Sequence, residues 1–110
     1  MTTRNNDPRF ASLPTQPGIG QLRWYIRQTA AGVVTIHEFL QDFRAAHEAA
    51  EKAGGAHYAS EEEARAVWDA LWAVEFCVGT APRPEGDPDE RMIPEEVLVV
   101  VKHSAPHLAS

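Results

Sequence analysis

Residues 60 to 72 read SEEEARAVWDALW, and they gather the densest set of chemically active side chains in the sequence: Glu61, Glu62, Glu63 and Asp69, interleaved with Trp68 and Trp72. Carboxylates beside aromatic side chains suit the capture of a basic protein, because aromatic anchors and complementary charge are what such interfaces use. Two further groups stand out for their placement. At about 100° per residue on a helix, Glu75 falls within the apolar stripe of its segment and His47 within the stripe of another. A buried carboxylate is costly unless it is paired. Arg23, Arg27, a tryptophan N–H or His47 is expected to answer Glu75, with a buried His47–Glu75 pair fixing helix register. The same two groups have the types of an acid/base pair, but no nucleophile is spaced to join them, so no catalytic residue is assigned.

Metal and cofactor chemistry find less support. His37, His47 and His57 are ten residues apart, whereas ligands sharing a helix face need a spacing of about three or four. His103 and His107 have that spacing but flank Pro106, which is expected to end a helix between them. Cys77 is the single cysteine, which excludes an intrachain disulfide and any cysteine-built zinc site and suits a buried structural thiol. Gly18 and Gly20 in PGIG lack the Lys-Ser or Lys-Thr of a phosphate loop. No metal and no cofactor is expected.

The elements that must position these residues are legible as helices. The opening MTTRNNDPRFASLPTQPG, with Pro8, Pro14 and Pro17, reads as a loose N-terminal arm over residues 1–18. The stripe Ile19, Leu22, Ile26, Ala30 and Val33 predicts a first helix ending near Gly32. Thr35 with Glu38 forms a capping box that opens a second, whose stripe is Ile36, Phe39, Leu40, Phe43, Ala46 and Ala50 and whose stop is Gly54-Gly55. Ser60 with Glu63 opens a third in the same way, and three acids in its first turn complement the helix dipole. Its stripe is read as Ala64, Val67, Trp68, Leu71, Val74 and Val78, with Gly79 after it. TAPRPEGDPDER is a loop. Pro94, Glu95 and Glu96 open a fourth helix over Pro94 to Ser104, although the β-branched run VLVVV also suits a strand. The expected fold is all-α, an antiparallel bundle of three or four helices forming one domain over residues 19–110.

With 110 residues and 44% hydrophobic content, the chain has the size and composition of one globular domain. Its net charge of −6 is unevenly placed: residues 1–35 carry four arginines against one aspartate, and residues 36–96 carry fifteen acids against five bases. Direct binding to nucleic acid or an anionic membrane is disfavoured, because phosphate contacts need clustered Lys and Arg. The longest uncharged apolar run, Val97 to Val101, is too short to cross a bilayer, and the first thirty residues lack the order of a secretory signal. A cytoplasmic location is expected.

The layout of TIHEFLQDF, then WDALWAVEF, then GDPDERMIPEEVL resembles the colicin D type of bacterial self-protective immunity proteins. The resemblance spans roughly residues 20 to 108 and lies in helix lengths and apolar spacing. It implies a small acidic helical bundle, not an enzyme, that neutralises a cognate basic nuclease toxin by holding acids in the toxin's phosphate-binding cleft. The acid-bearing surface it implies comprises Glu61, Glu62, Glu63, Asp69, Asp87, Asp89 and Glu90, to which Trp72 adds an aromatic anchor. VLVVV departs from the family, whose last helix is more polar. The alternative reading is an assembly or regulatory subunit that forms a homodimer through its apolar rim.

Overall fold

The computed structural model describes residues 7–78 and 92–109. These form four α-helices: α1 (Ile19–Ala30), α2 (Ile36–Lys52), α3 (Glu61–Val78) and α4 (Pro94–Ser104), with 3₁₀ turns at Pro8–Phe10 and Ala105–His107. Among the described residues there is no strand.

Consecutive helices run antiparallel, as cross-helix pairs demonstrate. Tyr25 on α1 donates to Asp42 on α2 at 3.2 Å. His47 on α2 meets Trp68 on α3 with ring centroids 4.7 Å apart. The Met92 N–H, just before α4, donates to the Phe76 carbonyl near the end of α3 at 3.4 Å. Tight, specified turns make this path possible. Gly32 (φ 84°) and Gly54 (φ 112°) occupy the left-handed region where a side chain is strained. Gly55 N–H closes the end of α2 on the Ala50 carbonyl at 2.9 Å. At the other end of α2 the predicted capping box is complete: Glu38 N–H donates to the Thr35 hydroxyl and Thr35 N–H to the Glu38 carboxylate.

The core comprises Leu22, Ile26, Val34, Phe39, Phe43, Val67, Ala70, Val74, Val97 and Val101, with Phe39 and Phe43 stacked at 4.5 Å. The valine run is helical. Val97 and Val101 are fully buried, four residues apart, and α4 packs against each of the other three helices, so tertiary burial overrides the strand preference of β-branched residues.

Two expectations are corrected. Within the N-terminal arm, residues 7–18 belong to the fold: Phe10 is only 7% exposed and packs on Trp24 and Tyr25, while Arg9 makes a paired hydrogen bond to Glu38 at 2.6 and 2.9 Å. A short polar, proline-bearing stretch contributed one large aromatic, and burying it outweighs the entropy of ordering the turn around it. The buried face of α3 is also turned from the expected stripe: Val67, Leu71 and Val74 are buried as read, but Trp68 and Val78 are 38% and 47% exposed, and Glu63, Ala66, Ala70 and Ala73 complete the face, with Trp72 46% exposed at its rim. Ala66, Ala70 and Ala73 are covered by neighbouring elements while the larger indoles are left at the margins.

Candidate functional site

An open groove of about 770 Å³ runs between α3 and α4. Its α3 wall carries Glu61, Glu62, Arg65, Asp69, Trp72 and Phe76, with Ala66 and Ala73 on the floor. Met92, Val100, His103, Ser104 and His107 form the opposite wall. The antiparallel arrangement divides it. Glu61 and Glu62 face the end of α4 and the 3₁₀ turn beyond it, where His107 Nδ1 lies 3.6 Å from Glu62. At the other end Trp72 and Phe76 stack at 6.0 Å with an interplanar angle of 28°, beside Met92. One end is thus ionic, the other aromatic and apolar.

Four residues expected to meet a partner, Glu61, Glu62, Asp69 and Trp72, therefore share one concave surface. Of the four-residue spacings that could pair opposite charges along a helix, Glu61–Arg65 and Arg65–Asp69 are not closed as ion pairs among the described residues, whereas Arg44–Glu48 is, at 3.5 Å. Glu61 and Asp69 keep their charge directed at solvent. Asp87, Asp89 and Glu90 lie outside the described residues.

Glu63 is a correction. It is fully buried and cannot meet a partner. Its carboxylate accepts from Arg23 Nε and an Arg23 terminal nitrogen at 2.8 Å each, from the Ala59 N–H at 2.8 Å and from the Ala109 N–H at 2.6 Å. Arg23 holds the Glu63 carboxyl down to about 2, aided by the two backbone N–H groups and opposed by burial. The predicted capping box is consequently only half formed: Ser60 accepts from the Glu63 N–H at 3.1 Å, but the carboxylate has turned to Arg23, Ala59 and Ala109. Arg27 also donates to the Ala109 carbonyl, so the chain beyond α4 is tied to α1 and α3 together. The sequence held the signal: Glu63 precedes Val67, Ala70 and Val74 by four, seven and eleven residues, the spacing of a buried stripe.

The expected His47–Glu75 pair is a second correction. His47 is buried at 4% exposure, with its ring edge-on to Trp68, and its Nε2 makes no hydrogen bond. The Glu75 side chain is 22% exposed, with Arg44 Nε 3.8 Å away. Glu75 was placed inward by a stripe running through Trp68 and Leu71; with the buried face turned, it reaches the boundary of the core and Glu63 takes the buried position. Cys77 is half-buried, and burial together with Glu95 and Glu96 pushes its thiol up.

Met92, Val100, His103 and His107 were not foreseen as part of one surface. Pro106 lies in the first turn of the 3₁₀ helix, where a missing N–H costs little, so the chain keeps a helical course and both imidazoles face the groove. Among the described residues no three His, Cys, Asp or Glu side chains come together as a metal site, and no helix is long and apolar enough to cross a membrane. No family model, no curated protein and no solved structure matches the chain.

Proposed function

We propose that this chain is a non-enzymatic binding protein of the immunity type, which neutralises a basic protein toxin, a nuclease in the leading case, by presenting the acids of the α3–α4 groove to the toxin's phosphate-binding surface. The observation that carries the reading is the convergence of Glu61, Glu62 and Asp69 with the exposed Trp72 in one groove. Carboxylates set opposite cations across an interface steer the encounter and can add coupling energy, and a large exposed indole is the side-chain type that anchors interfaces. A cytoplasmic site of action fits such a role.

The test is inhibition. A candidate nuclease toxin, purified and mixed with the protein, is expected to lose activity at one-to-one stoichiometry. Replacing Glu61→Gln, Glu62→Gln and Asp69→Asn together should restore the activity by slowing association. Undiminished inhibition by the triple variant would remove the groove from the mechanism.

One observation favours a second reading, self-association: Trp72, Phe76, Met92 and Val100 form a continuous apolar stretch of groove. Sedimentation of the protein alone distinguishes the two, because a dimer through this stretch would be insensitive to the triple substitution and lost with Trp72→Ala.

A further inference from the structure

The groove's ends differ in chemistry, and its shape and length match one class of occupant. Its α3 wall from Glu61 to Phe76 covers fifteen residue steps, about 22 Å at the helical rise of 1.5 Å per residue, or roughly four turns. Ala66 and Ala73, small and almost wholly covered, keep the floor low between the longer side chains of the two walls, the profile into which a third helix can set its side chains. Glu61, Glu62 and Asp69 occupy one half; Trp72 and Phe76, with Met92 opposite, occupy the other.

Resting on the binding role proposed above, we infer that the groove receives an amphipathic helix of the partner, about four turns long, with Lys or Arg on its inward face at one end and large apolar side chains on that face at the other. Helix-in-groove recognition reads side chains at i, i+3 or i+4, and i+7. Here the first anchors are cations over Glu62 and Asp69, and the last are apolar side chains against the Trp72–Phe76 stack. Charge complementarity selects the basic end, because three carboxylates face the groove against one guanidinium, Arg65, and the imidazoles of His103 and His107, which carry charge only when protonated. The apolar end fixes the register, since a helix docked in reverse would leave Glu61 and Glu62 facing hydrocarbon and take the apolar side chains off the Trp72–Phe76 stack.

The experiment uses the full chain and two fluorescein-labelled helical peptides of equal composition. One segregates its lysines and arginines into the first two turns and its leucines and phenylalanines into the last two; the other distributes both along the same face. Fluorescence anisotropy should show the segregated peptide binding at least about tenfold more tightly, equivalent to about 1.4 kcal/mol. Asp69→Asn with Glu62→Gln should remove most of that preference and flatten its salt dependence. Trp72→Ala should accelerate dissociation while leaving the salt dependence intact. All three residues are exposed, so circular dichroism of each variant should be unchanged. Equal affinity for the two peptides, or no binding of the segregated one, would overturn the inference. Displacement of a self-associated dimer without peptide selectivity would also overturn it, assigning the groove to a second copy. Failure here and failure of the immunity role are distinguishable: toxin inhibition that depends on Glu62 and Asp69 without peptide selectivity means a folded surface is recognised, and peptide selectivity without toxin inhibition means the partner is another basic protein.

Discussion

Glu63 shows how a single side chain can hold a fold together while looking like part of a surface. It sits third in a run of acids, yet it is buried and bonded to α1, to the loop before α3 and to the chain beyond α4. Removing one partner of a buried charge pair costs about 3–5 kcal/mol. Glu63→Gln is therefore expected to lower stability by about 3 kcal/mol or more in urea denaturation, whereas Asp69→Asn, exposed and unpaired, should stay within about 0.5 kcal/mol. Comparable losses from the two substitutions would refute this ranking. The same carboxylate governs acid sensitivity. Its folded pKa of about 2 lies below the ordinary 4.5, as does that of Glu38, held down chiefly by Arg9 and then by the Thr35 backbone and hydroxyl. Groups depressed on folding stabilise above the unfolded value and lose that contribution as pH falls. Stability should thus decline from pH 4.5 toward 2, and Glu63→Gln should flatten that decline in a pH series followed by circular dichroism.

Among the elements, the N-terminal turn and the start of α2 form one unit. Arg9 reaches Glu38 and the Val33 carbonyl, and Glu38 completes the cap with Thr35. Thr35→Ala removes the hydroxyl that accepts from the first turn and should cost about 1 kcal/mol. Phe10→Ala tests whether the turn belongs to the core. Truncating a buried phenylalanine costs about 3–5 kcal/mol, and a site at the edge of the core belongs at the low end of that range. A thermal midpoint unmoved by Phe10→Ala would mean that the segment contributes nothing to folding.

For the whole molecule, the uneven charge of the sequence becomes spatial. The acids of α3 that remain exposed share a groove with Trp72, so association with a basic partner should be fast at low salt and slow as ionic strength rises, exposed charges being screened over a Debye length of about 8 Å at physiological salt. Stopped-flow association at two salt concentrations measures this. The triple substitution Glu61→Gln, Glu62→Gln, Asp69→Asn should lower the rate at low salt and remove most of its salt dependence; a rate and salt slope equal to those of the unmodified chain would show that these acids do not steer.

Local rules determined the four helices, because the groups that start and stop a helix are neighbours in sequence: Thr35 with Glu38, Gly32, Gly54 and Pro94 needed nothing distant to act. Which way each helix faced was not local. The stripe read from the sequence ran through Ala64, Trp68 and Val78, whereas packing turned the face toward Glu63, Ala66, Ala70 and Ala73, keeping Val67, Leu71 and Val74 in both. That choice exchanged the roles of Glu63 and Glu75 and moved Trp68 from the expected stripe to a partly exposed margin, while Trp72 stands at a groove, on the exposed side where it was expected. The groove itself was illegible in sequence, since His107 meets Glu62, and His103 joins the same surface, only through an antiparallel pairing some forty residues apart. Helix ends depend on hydrogen bonds within a turn; the choice between an acid that is buried and one that greets a partner depends on which neighbours arrive from elsewhere in the chain.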